Sequence, residues 1–136
     1  MKNQFAVFLL SAVLATGVVP AYVAIGQASP SPQIIAQAEA REKIAAEFID
    51  LLVKGDTRSA LEKYDSTVRE NISLQSLGDM WGDLINETGP FEKTTGIRSE
   101  ANLVIVSCEF EKSKRDLLII FNDSNNIVGL DYVQPQ

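Results

Sequence analysis

Apolar residues recur along the chain with two different periods, and the period changes at Pro90. Before it the spacing is helical. Ile44, Phe48, Leu51 and Leu52 fall at i, i+4, i+7 and i+8, which makes one stripe of a helix beginning at Glu39. Glu39 and Glu42 suit the positive end of that helix, and Lys54 followed by Gly55 signals its stop. Asp56 can cap a second helix, in which Leu61, Tyr64 and Val68 share a face. Ser73 can cap a third, striped by Leu77, Trp81, Leu84 and Ile85. Gly89 suits the left-handed position that closes it, and Pro90 cannot continue it.

Beyond Pro90 the period is two. "FEKTTGIRS", "ANLVIVSCEFEK", "RDLLIIFND" and "NIVGLDYV" read as strands, with a turn near Ser113 and a polar loop "DSNN" between them. In the second of these, Val104, Val106, Cys108 and Phe110 face one way, and Leu103, Ile105, Ser107 and Glu109 face the other. Three helices followed by about four antiparallel strands predict a single α+β domain over residues 39–136, its helices covering one sheet face.

The first 38 residues follow neither period. A basic start, a long apolar stretch from Phe5 to Ile25 and small residues after it have the order of a secretory signal. Cleavage fits after Ala28 ("GQA") and after Ala38 ("AQA"). Ala38 is preferred, because charge and helical period begin together at Glu39. No cysteine stands directly after the stretch to carry a lipid anchor. An uncleaved membrane anchor is the alternative, since the stretch is about as long as a bilayer span. On either reading the folded part is expected outside the cytoplasm, periplasmic or extracellular.

Charge narrows the partners. Lys2 is the one formally charged side chain in the first 38 residues, which leaves 11 basic against 18 acidic residues, about −7, for the remainder. An acidic surface argues against nucleic acid, which needs a basic footprint, and against an anionic membrane surface. Histidine is absent, so the side chain best suited to proton transfer near neutrality and to metal ligation is missing. The one cysteine, Cys108, cannot form an internal disulfide, and its place in an apolar strand predicts a buried, inert thiol. No metal-ligand spacing, phosphate loop or nucleophile motif is present, and no cofactor is expected.

The stretches "FIDLLVKGDTRSALEKYDSTVRENISLQSLGDMWGDLINETGPFEKTTGIR" and "VSCEFEKSKRDLLIIFNDSNNIVGL" carry a resemblance. The helix-ending "KGD", the Leu77–Trp81 spacing, "GPFEK", "CEFEK" and the terminal "IVGL" together resemble a bacterial family known as domain of unknown function 3887. The resemblance covers Glu39 to about Tyr132. It implies a nuclear transport factor two-like (cystatin-like) fold, in which a curved sheet wraps around helices to form a cone. It brings no catalytic residues to carry over.

A cone of that kind can house acid–base chemistry, and the chain has aspartate and tyrosine to offer in "KYD" (Tyr64, Asp65) and "GLDYV" (Asp131, Tyr132). Neighbours on a strand point to opposite faces, so Asp131 and Tyr132 cannot both enter one pocket. Trp81 and Tyr64 could line a ligand cavity, with Glu109 or Asp131 near its mouth. Against that, Trp81 is simply the largest apolar residue of its helix, and core is the plainer reading. The sequence therefore predicts an exported, non-catalytic module that binds a protein partner or a small apolar ligand, with a homodimer through the sheet compatible with either. The alternative is a small pocket enzyme with a carboxylate base.

Overall fold

A computed structural model describes residues 29–135, so the apolar stretch from Phe5 to Ile25 and the Ala28 site lie outside the described residues. Helix α1, Pro32–Val53, begins seven residues ahead of Glu39. Pro32 stands at the first helical position, where its missing N–H costs nothing, and the uncharged "QIIAQA" that follows propagates the helix. The onset of charge is thus not the onset of the helix. The other end falls where the sequence places it. Gly55, at φ 81°, takes the left-handed position. Its N–H donates to Leu52 O at 3.1 Å and that of Asp56 to Leu51 O at 2.9 Å, a Schellman closure.

The expected second helix is broken in two, α2 at Thr57–Leu61 and α3 at Ser66–Arg69. Asp56 caps the first piece by accepting from Ser59 N, and Asp65 caps the second by accepting from Thr67 N. Between them the backbone leaves helical geometry to pair with the start of the last strand. Ile127 N donates to Lys63 O at 3.0 Å and Asp65 N to Ile127 O at 2.8 Å. Tertiary pairing has overridden the local helical pattern. Helix α4, Leu74–Thr88, follows the prediction, with the Ser73 hydroxyl accepting from Ser76 N at 2.9 Å. Gly89, at φ 85° and ψ 177°, ends it in a conformation open to glycine, and an added Cβ would lie 2.9 Å from the Cβ of Glu111.

Four strands make an antiparallel meander in the order β1 (Phe91–Glu100), β2 (Leu103–Phe110), β3 (Lys114–Phe121) and β4 (Ile127–Val133). This is the α+β architecture read from the sequence. Register between β1 and β2 shifts twice, at Phe91/Lys93 and at Thr94/Gly96. Val104, Val106, Cys108 and Phe110 point inward from β2, joined by Leu117, Ile119 and Phe121 from β3. They meet Ala45, Phe48, Ile49 and Leu52 of α1 and Leu77 and Leu84 of α4 in one core, which removes enough apolar area from water to drive folding.

One core contact is a charge. Arg41 projects from α1 and is 4% exposed. Its Nε donates to Asn125 Oδ1 at 2.9 Å and its Nη2 to Asn122 O at 3.0 Å, both beyond the end of β3. Nη1 donates to Ala101 O at 3.0 Å and Asn102 Oδ1 at 3.3 Å in the β1–β2 turn. The guanidinium also lies 5.9 Å from the Phe121 ring centroid. Among the described residues no carboxylate comes within 4.0 Å of it. Arg41→Ala strands these acceptors. It is expected to destabilise the fold by about 2–4 kcal/mol, read by urea unfolding, because each unmet buried polar group costs about 1–3 kcal/mol and water recovers part. A loss below about 0.5 kcal/mol would remove Arg41 from the frame of the fold.

Candidate functional site

Where α1 ends, the apolar surface does not. Val53, the last residue of α1, is 40% exposed, and Leu52 beside it is buried. Across from them α4 presents Trp81 and Ile85, and Pro90 and Phe91 lead into β1. Together with Gly55 these residues enclose a groove of about 420 Å³. A second hollow of about 180 Å³ shares Val53 and Phe91 with it and is lined further by Ala46, Ile49, Asp50 and Thr94. The aromatic floor is ordered by ring contacts. Phe110 meets Trp81 at 6.3 Å between centroids and Phe91 edge-on at 5.7 Å.

Among the described residues no ionisable side chain lines the larger hollow. At the margin of the smaller one Asp50 is paired with Lys54 at 2.8 Å, both well exposed. The larger hollow therefore offers shape and apolar area. A larger, more polar hollow of about 480 Å³ lies at the β2–β3 hairpin, lined by Glu87, Lys112, Ser113, Lys114 and Arg115. It opens broadly to solvent, and its guanidinium is already engaged with Glu87 at 3.5 Å and with Ser113 Oγ at 2.9 Å. We place the candidate site in the apolar groove.

Of the side chains named from the sequence, Trp81 lines this groove and is half-buried there, packed against the core without being enclosed by it. Tyr64 is elsewhere. It is 4% exposed, edge-on to Phe48 at 5.7 Å, and its hydroxyl has no hydrogen-bond partner among the described residues. Glu109 stands on the outer face of the sheet, between Lys93 at 3.6 Å and Lys114 at 3.7 Å. Asp131 pairs in register with Leu118 on that same outer face and is exposed. The four residues do not converge. Val53, Pro90 and Phe91 complete the groove instead. The available signals were an apolar residue outrunning the α1 stripe and an aromatic placed just after the helix-breaking Pro90.

A family model described as protein of unknown function (DUF3887) matches residues 45–130. The chain belongs to this family. The match takes in α1 from Ala45, both short helices, α4 and the sheet as far as Leu130, and hence every residue that lines the groove. No curated protein and no solved structure matches the chain.

Two buried acids shape the response of the fold to alkali. Burial pushes the Cys108 thiol up from 9.0 to about 11, opposed in part by a hydrogen bond from Thr94 and assisted by the Asp116 charge. Burial alone pushes the Tyr64 phenol up from 10.0 to about 12. Both values are higher folded than unfolded, so the unfolded chain loses these protons first as pH rises. The stability they protect is complete below pH 9 and declines between about 9 and 12. Urea midpoints measured across that range should fall, and less steeply in Tyr64→Phe. Because the Tyr64 hydroxyl has no partner, that substitution should be neutral or stabilising at pH 7. A midpoint that is flat to pH 12, or an equal slope in the variant, would contradict this account.

Proposed function

We propose that this chain is an exported, non-catalytic binding module whose groove between α1, α4 and the start of β1 takes a small apolar ligand. The observation that carries the reading is the groove itself: about 420 Å³, walled by Leu52, Val53, Trp81, Ile85, Pro90 and Phe91. Ligand sites are characteristically concave and mainly apolar, and a volume of this order suits a small molecule. The enzyme alternative needs a carboxylate inside an apolar cavity, and the positions of Glu109 and Asp131 on the outer sheet face lend it no support. The four-stranded antiparallel meander with helices on one face agrees with a nuclear transport factor two-like cone, and we extend the proposal to that fold group.

Export is proposed from the N-terminal sequence, with one adjustment suggested by α1. Cleavage after Ala28 keeps this helix whole. Cleavage after Ala38 removes its first two turns, including Gln37, whose Nε2 donates to Asp123 O and Asn125 Oδ1 at 3.4 Å.

Trp81 is the one tryptophan of the chain, so its fluorescence reports on the groove directly. Titration with phenylnaphthylamine, a neutral apolar dye, should quench Trp81 by energy transfer and raise the dye's own directly excited emission, both with saturation. The dye emission is the readout in variants that lack Trp81. Val53→Asp, at an exposed helix end, should weaken that binding at least about tenfold, some 1.4 kcal/mol. Trp81→Ala should abolish dye binding while costing about 2–3 kcal/mol of stability, less than full burial of a tryptophan implies. Dye binding unchanged by both substitutions would reject the groove.

A second reading rests on the outer face of the sheet. Ile120 there is 42% exposed, beside Leu103 and Leu118 and over the buried Ile105, while Val133 is set apart from them by Asp116 and Asp131. An apolar patch centred on Ile120 suits self-association. Sedimentation equilibrium should then show a dimer that Ile120→Lys dissociates, whereas a wild-type monomer at the highest usable concentration would dismiss it.

A further inference from the structure

The groove leaves unexplained a second cavity at the opposite end of α1. It measures about 240 Å³ and is lined in part by Gln37, Arg41, Ser99 and Asn102. A guanidinium has five N–H groups, and Arg41 spends four: one on Asn125, two in the β1–β2 turn and one on Asn122. Its fifth, on Nη2, has no acceptor among the described residues. Asn102 accepts from Arg41 through Oδ1, which leaves its Nδ2 group without an acceptor among the described residues. Gln37 Nε2 makes two long bonds of 3.4 Å, each easily exchanged for a better one. The charge is as incompletely met as the hydrogens. Arg41, 4% exposed, is surrounded by neutral amide and carbonyl oxygens. A buried cation without a counter-ion is costly, and an anion in contact with it recovers part of that cost.

We propose that this cavity binds a small monocarboxylate, its oxygens held by Arg41 Nη2, Asn102 Nδ2 and Gln37 Nε2. Glu42 sets the charge of the ligand. Its Oε1 accepts from Ser99 Oγ at 2.8 Å, so one wall of the cavity carries a negative charge one hydrogen bond away. Ser99 Oγ also donates to Ala38 O at 3.4 Å and has no proton left for a ligand. That wall disfavours a dianion such as sulfate or phosphate, and a single carboxylate balances the guanidinium. The volume suits a short-chain acid. The inference does not depend on the apolar groove, which lies at the other end of α1.

The test is a titration of the full ¹⁵N-labelled chain with acetate and propionate, and separately with sulfate, at fixed ionic strength. The Arg41 Nε–H resonance and the side-chain amides of Gln37 and Asn102 are followed. Saturable shifts at these three groups with the carboxylates, and weaker or none with sulfate, are expected. Asn102→Asp places a carboxylate beside the guanidinium and should abolish the response with the rest of the spectrum unchanged. Gln37→Ala, which removes only long hydrogen bonds and so leaves the fold intact, should weaken binding roughly tenfold. Shifts that stay linear with concentration overturn the proposal, as does a response that survives in Asn102→Asp. Sulfate binding as tight as acetate overturns the monocarboxylate assignment.

Discussion

The buried guanidinium of Arg41 ties together parts of the fold that hydrophobic packing alone leaves loosely related. Apolar contact holds α1 against the sheet, but such contact is non-directional and tolerates sliding. Hydrogen bonds to the β1–β2 turn and to the loop after β3 do not, because each demands a donor–acceptor distance near 3 Å. Arg41 therefore fixes where along the sheet α1 sits, and with it where Val53 emerges, some 12 residues and three turns further on. The groove at one end of the helix takes its position from a charge buried near the other.

Much of this fold could be read from the sequence because local and tertiary preferences agree over most of it. The alternation of Val104, Val106, Cys108 and Phe110 is a strand pattern, and those residues are the inward ones. Asp56 and Ser73 are good caps by side-chain chemistry, and both cap. The reading failed where the two preferences conflict. Leu61, Tyr64 and Val68 have helical spacing, yet the backbone from Lys63 to Asp65 bonds to Ile127, a residue more than sixty positions away that no local pattern announces. Arg41 was missed for the same reason. Within its helix it is one more polar residue, and only the approach of two distant loops makes it buried.

The candidate site was legible to a smaller degree. Trp81 drew attention by size, and it does wall the groove. Tyr64, Glu109 and Asp131 were grouped with it by chemical type, which carries no information about direction. Strand parity sends Glu109 to the outer face once the inward set is known, whereas Asp131 is turned outward by the register shift at Ile120/Phe121, since parity counted from the buried Ile127 would turn it inward. The residues that finish the groove, Val53, Pro90 and Phe91, lie at element ends, where periodicity has the least to say about orientation.

The short bridge from Tyr64 to Ile127 has a consequence for the sheet as a whole. A four-stranded meander has two open sides, each a row of unpaired backbone groups onto which another chain could crystallise as an extra strand. On the β4 side, residues 63–65 occupy the first rung, so an incoming strand meets a blocked start. On the β1 side, the register shifts at Phe91/Lys93 and Thr94/Gly96 interrupt the even spacing that a regular partner would need. Open-ended stacking of the kind that builds fibrils is thus hindered from both directions. What stays open is the outer sheet face, where side chains rather than backbone decide what fits.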